Sequence, residues 1–170
     1  MTSKVNKMSV NVERTLVLLK PDAVERALVG QIISRFENAG LKIVGMKMVW
    51  VDTEFSRKHY SEHITKPFYR ALEQFITEGP VIAMTIEGIQ AVEITRKMVG
   101  STEPRKAQPG TIRGDFAHHS YEYTDNKGIA IKNLIHASDS SESAKKEVSL
   151  WFKPEELHSY KTVHETHVFG

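Results

Sequence analysis

Cysteine is absent from all 170 residues, which excludes disulfides, thiolate nucleophiles and cysteine-type zinc sites. An excess of either charge is missing as well: 23 basic side chains against 21 acidic ones leave a formal net charge of +2. No global field marks the chain as a binder of nucleic acid or of a membrane surface, so any anion site has to be built locally. No apolar run approaches the ~20 residues that span a bilayer. Residues 1–12 lack a continuous apolar stretch of the secretory type; they read as a short flexible leader, and the expected location is cytoplasmic. The common phosphate loops are missing too. Gly40 and Gly45 have P-loop spacing, but Met46 stands where a lysine is required, and no Gly-x-Gly-x-x-Gly occurs.

What is present suffices for one globular domain, expected over residues 13–170. The apolar fraction is 40% and the charged fraction 26%, and a chain near this size buries roughly 68–70% of its unfolded surface. Thr15–Leu19 is a short apolar run closed by Lys20-Pro21-Asp22, which reads as a buried strand followed by a helix start. Val24, Leu28, Ile32 and Phe36 recur every fourth residue, predicting one helix that ends at Gly40. A strand over Lys42–Val51, helices over Glu54–Glu62 and Pro67–Glu78, a strand over Val81–Ile86 and a helix over Ile89–Val99 follow. A Pro-rich loop leads to a fourth strand over Ile129–Ile135. A helix capped by Asp139 or Ser140 comes next, with Glu142 placed for a capping box, and Pro154-Glu155-Glu156 starts a last short helix. This order predicts an α/β (α+β) chain with a ferredoxin-like βαββαβ core: a four-stranded antiparallel sheet with helices on its faces.

Chemistry-bearing residues gather at the expected strand ends and loops. Lys20 follows the first strand, Arg96 ends a helix, and Thr102, Arg105 and Lys106 lie in the Pro-rich loop. Arg113 sits between Gly110 and Gly114, where backbone could approach an anion closely, and arginine suits bidentate phosphate binding. His136 ends an apolar strand just before a helix start, with small neighbours Ala137 and Ser138. A neutral imidazole nitrogen is a competent nucleophile near pH 7, and an acceptor such as Glu147 could fix the other nitrogen. His59-Tyr60-Ser61-Glu62-His63 also fits the inverted zincin pattern, with two histidines four apart on one helical face. Three fixed positions arise easily by chance, and two surface histidines on a solvated helix are the commoner case.

Several ordered motifs resemble those of nucleoside diphosphate kinases. They are Lys20-Pro21-Asp22-Ala23, His59-Tyr60, Lys66-Pro67-Phe68, Arg96–Gly100, Pro109–Phe116, Asn133–Ser140 and Glu147–Phe152, and they cover the chain from about Glu13 onward. The resemblance implies transfer of a γ-phosphate from a nucleoside triphosphate to a nucleoside diphosphate, by a ping-pong route through a phosphohistidine on His136. It implies that Glu147 orients the ring with support from Ser138, and that Lys20 and Tyr60 act near the transferred group. Arg96, Thr102 and Arg113 would bind phosphates, Asn133 and Lys20 the ribose, and Phe68 would stack on the base. Mg²⁺ is implied with the nucleotide phosphates, with no direct protein ligand and Asp139 touching its shell through water. A homo-oligomer is implied too, most often a hexamer, otherwise a tetramer or dimer.

Two departures stand out. Ala137 replaces the family's usual glycine, and residues 117–130 form a longer connection, in which Thr124–Gly128 reads as a hairpin turn. That insertion leaves the second wall of the base pocket open. Two other functions fit less of the pattern: a nucleotide-binding relative without turnover, and a zinc peptidase.

Overall fold

The computed structural model describes residues 12–168, so the leader expected over 1–12 lies outside the described residues except Val12. Val12 itself opens β1, Val12–Leu19. Four strands form one sheet in the order β2-β3-β1-β4, with β2 over Lys42–Trp50, β3 over Pro80–Ile89 and β4 over Ile135–Ala137. Every pairing is antiparallel. This is the ferredoxin-like arrangement expected from the element order.

Alternation along β1 explains why its sequence is a continuous apolar run. Val17 and Leu19 face one core with Ile82, Met84 and Ile86 of β3. Leu16 and Leu18 face a second core with Val81 and Ala83. Each face needs a cover. The first is covered by α1 (Pro21–Glu25), α2 (Val29–Asn38) and α5 (Ala91–Val99), which contribute Ala23, Ile32, Phe36, Ala91 and Val99. The second is covered by α3 (Thr53–His59), α4 (Tyr69–Thr77) and α8 (Ser141–Trp151), through Phe55, Tyr69, Ile76, Val148 and Trp151. A strand buried on both faces cannot show period-2 polarity.

Several local expectations need correction. The single helix expected from Val24 to Phe36 is two, broken at Arg26–Leu28, where Ala27 has φ +56°. The four-residue spacing survives because both pieces turn their apolar side to the same core. Gly40, at φ +79°, does end α2: its N–H donates to Glu37 O at 2.9 Å and that of Leu41 to Phe36 O at 3.1 Å. Gly45, the other P-loop-spaced glycine, lies where the register of β2 shifts, under Leu157. A short helix α6, Ile112–Phe116, closes the Pro-rich loop. The expected hairpin turn is instead a helix, α7, Tyr121–Lys127. Ser120 caps its start by accepting from the Tyr123 N–H at 3.2 Å, and Gly128 ends it at φ +64°. The Asn-Gly-like signal was a helix terminus. The fourth strand shrinks to three residues, because residues 129–134 run as irregular chain beside the cavity. Ser140 caps α8 by accepting from Ser143 N–H at 3.1 Å, and Glu142 pairs with Lys146 at 2.9 Å instead of forming a capping box. Among the described residues, no helix is long and apolar enough to cross a membrane. The last described element is a short helix, α9, Glu165–Val168.

Candidate active site

β1 and β4 set the site. Leu18 pairs with His136, and the backbone N–H of Lys20 donates to Leu134 O at 2.8 Å. The end of β1 and the segment 133–136 are thus tied side by side. Lys20 Nζ donates to Asn133 Oδ1 at 2.8 Å, and Asn133 Nδ2 donates to Thr102 O at 2.8 Å. Burial, and next the charge of Arg113, push the Lys20 ammonium down to about 8, with Asp22 opposing. It still carries its proton at neutral pH.

Arg113, on α6, reaches under the same segment. Its guanidinium donates to Asn133 O at 3.1 Å, Ile135 O at 2.5 Å and Gly100 O at 3.0 Å. Three of its five N–H groups are spent on carbonyls, and the rest are available to a ligand. Burial and then Arg96 push its pKa down to about 10, so it too is cationic. Gly114 is required beside it: a Cβ there would fall 2.0 Å from Gln108 O.

His136 Nε2 lies 2.9 Å from Glu147 Oε2, on α8. The Ser138 hydroxyl donates to the same oxygen at 2.7 Å and accepts from Leu16 N–H at 3.2 Å. A carboxylate is an acceptor, so the imidazole proton sits on Nε2 and the lone pair on Nδ1. Tyr60 packs its ring 6.5 Å from that of His136. Its hydroxyl is buried and has no hydrogen-bond partner among the described residues. Burial, and then Glu147, raise its pKa above the usual phenol value, which keeps it a protonated donor.

His59 stands edge-on to His136, with ring centroids 4.8 Å apart. Burial, then His136, Lys20 and His63, hold it well below the usual imidazole range. His59, His136 and Glu147 offer ligand atoms within 4.8 Å of one another. Their chemistry does not suit a metal at rest. The Trp151 indole N–H donates to His59 Nδ1 at 3.1 Å, which places the His59 proton on Nε2, and Nε2 of His136 is already engaged by Glu147. The zincin pattern fails on geometry: α3 ends at His59, so His63 is not one turn further along the same helix.

These groups open onto one cavity of about 630 Å³. Lys20, Tyr60, Phe68, Arg96, Thr102, Arg113, Asn133, His136, Asp139 and Glu147 all line it. Ser138 does not; it is fully buried behind Glu147. Arg96 Nη1 donates to Ala137 O at 3.3 Å. Hydrogen bonds from Ser143 first, and Ser140, hold the exposed Asp139 carboxyl below its usual range. Ala137 lies in strand conformation, so its methyl group needs no left-handed backbone.

Some lining residues were not legible in the sequence. Leu72 stands one helical turn beyond Phe68, a spacing that could have suggested it. Tyr121, Asp125 and Ile129 come from the insertion and Ile131 follows it, and only the fold brings them to the cavity.

A family model described as nucleoside diphosphate kinase matches residues 13–157. The nucleoside diphosphate kinase of Pyrococcus furiosus is 60% identical over 149 residues, covering 88% of this chain and 88% of that protein. That of Pyrococcus horikoshii is 61% identical over 148 residues, covering 87% and 90%. Among solved structures, a transition-state mimic of the Borrelia burgdorferi enzyme with vanadate and ADP superposes with a TM-score of 0.90 at 41% identity, covering 93% of this chain and 97% of that one. A Halobacterium salinarum enzyme in complex with CDP superposes with a TM-score of 0.84 at 40% identity, covering 94% and 100%.

Proposed function

The chain belongs to the nucleoside diphosphate kinase family, and from that premise we propose that His136 is the side chain that carries phosphate between its two nucleotides. As a member of that family it is a phosphotransferase, moving a γ-phosphate from a nucleoside triphosphate to a nucleoside diphosphate by a ping-pong route. The observation that carries the assignment is the Glu147 carboxylate on His136 Nε2, which leaves the Nδ1 lone pair as the nucleophile. Nδ1 forms the P–N bond as the bond from phosphorus to the bridging oxygen breaks, and the diphosphate leaves. Glu147, steadied by Ser138, offsets the positive charge that develops on the ring. An oxygen of the second diphosphate then attacks phosphorus, the P–N bond breaks, and the neutral ring returns.

Phosphoryl transfer is mostly positioning and charge stabilisation. The unpartnered Tyr60 hydroxyl and the Lys20 ammonium fit donation to the moving phosphoryl oxygens. Arg96, Arg113 and Thr102 fit the remaining phosphates. Lys20 and Asn133 fit the ribose hydroxyls, and the half-exposed Phe68 fits a stacked base. Every base has a π-face, so such stacking tolerates many bases.

Mg²⁺ prefers oxygen ligands and keeps several waters. Among the described residues, the one cluster of three metal-type side chains is nitrogen-rich and internally hydrogen-bonded, so Mg²⁺ belongs with the nucleotide phosphates, and Asp139 is placed to meet its shell through water. Bound there, the ion would neutralise phosphate charge. A single domain is part of the same reading, since both apolar clusters share the sheet. So is self-association, toward a hexamer by the family's habit. Met46, Met48 and Trp50 are exposed along the edge strand β2, which suits contact with a second copy. A role in supplying nucleoside triphosphates supports a cytoplasmic location.

The decisive experiment is labelling with γ-labelled ATP and Mg²⁺. A P–N bond is lost in acid and survives base. Label with that stability, absent from His136→Ala, is the expected result; acid-stable label, or label retained in the variant, would sink the assignment.

A further inference from the structure

The insertion supplies part of the lining of the cavity that Phe68 also lines. On α7, Tyr121, Thr124 and Asp125 are three and four residues apart and therefore share one face, and all three line the cavity. The helix is held at its start. Tyr121 N–H donates to Glu103 Oε1 at 3.2 Å, and Arg105 N–H to His119 O at 3.1 Å. Tyr121 marks the end held beside Thr102 and Asn133, because its N–H is bound by Glu103, the neighbour of Thr102. Asp125 stands one turn further on, ~6 Å along the helix axis. Beyond it, Ile129 is 45% exposed and Phe68 54% exposed, both lining the same cavity, as expected of apolar walls awaiting a flat partner. The Asp125 carboxylate is exposed and has no hydrogen bond or ion pair among the described residues.

We propose that α7 is a base-recognition wall on which Asp125 accepts hydrogen bonds from N–H groups at the edge of the base stacked on Phe68, favouring guanine. Guanine offers two adjacent N–H donors on one edge, matching the two oxygens of a carboxylate. Hypoxanthine lacks the exocyclic amine and offers one. Uracil also offers one, flanked by carbonyl oxygens that a carboxylate repels. A negative group is unfavourable beside phosphates, so its place one turn beyond the end held beside Thr102 suits a neutral base. The enzyme remains base-tolerant through stacking, with a bias laid on top. This rests on the assignment of the cavity to a nucleotide.

The test is the acceptor specificity of the full chain and its Asp125→Asn and Asp125→Ser variants, with ATP as donor and GDP, IDP and UDP as acceptors. The expected result is a fall of about five- to tenfold in the GDP-to-UDP ratio of kcat/KM, the scale of a partly solvated charge-assisted hydrogen bond. IDP should lie between the two in the unmodified chain. A ratio unchanged in both variants, while His136 still takes label from ATP, overturns the role of α7 and leaves the active site standing. No label on the unmodified chain overturns both.

Discussion

Asp22 accepts the backbone N–H of Leu134 at 3.0 Å, linking positions 112 residues apart. Leu134 has φ +70°, a conformation that a branched residue adopts only when its surroundings hold it. Asn133 precedes it and His136 follows two residues later, so this bond sets the course of the segment that carries the proposed nucleophile. Asp22→Ala should cost about 1–3 kcal/mol, because it leaves a buried N–H without a partner, and should lower kcat as well. Denaturant unfolding with parallel kinetics reads both. Wild-type stability would mean that other contacts hold Leu134.

Glu147 Oε2 serves both His136 and Ser138. Glu147→Ala should slow phosphohistidine formation about 10²-fold, the cost of a misplaced nucleophile. Ser138→Ala keeps the carboxylate and should cost about tenfold, near the worth of one charge-assisted hydrogen bond. Rapid-quench labelling gives the two rates. A larger loss for Ser138→Ala than for Glu147→Ala contradicts the proposed hierarchy.

Lys20 should give the enzyme an alkaline limb. With its pKa pushed down to about 8, kcat/KM should fall as pH rises through that value, since this ratio reports the free enzyme. Lys20→Arg should be slower but keep its charge, moving the limb upward by more than one pH unit. Stability runs the other way. Between about 8 and the usual lysine value, the unfolded chain holds the proton and the folded chain has released it, so this group's contribution to stability rises with pH. A kcat/KM profile flat to pH 10 would contradict the burial of this ammonium.

Two glycines should behave oppositely. Gly114→Ala places a methyl group against Gln108 backbone and Thr111. It should cost about 1–3 kcal/mol and raise nucleotide KM by moving Arg113. Gly30 lies within α2 with nothing near its missing Cβ. Gly30→Ala should raise stability by about 0.5–1 kcal/mol and leave kinetics alone. Thermal denaturation compares the pair directly.

The positions of Lys20, Arg113, Asn133 and His136 were legible in the sequence because short motifs sit where strands end, and strand ends are read from apolar runs. Arg113's grip on three carbonyls was not legible, since those carbonyls come from Gly100, Asn133 and Ile135. The same holds for His59. Its five-residue pattern fitted a zinc signature and read more simply as surface histidines on a solvated helix, yet its ring is part-buried and takes its tautomer from Trp151, 92 positions away. For α7, a composition rich in Asn, Asp and Gly suits both a hairpin turn and a helix terminus, and the Ser120 cap decided between them.

By itself, then, the sequence determined the sheet skeleton, the family of the reaction and the candidate nucleophile that we propose, because these depend on local periodicity and on residues adjacent in the chain. Tertiary structure alone decided which nitrogen of His136 is free, which charge is weakened by burial, and what lines the cavity with Phe68. Tautomer, desolvation and pocket walls are properties of what packs around a side chain. Glu147 and Arg113 come to His136 and Lys20, and α7 to the cavity that Phe68 lines, only once the chain has closed on itself.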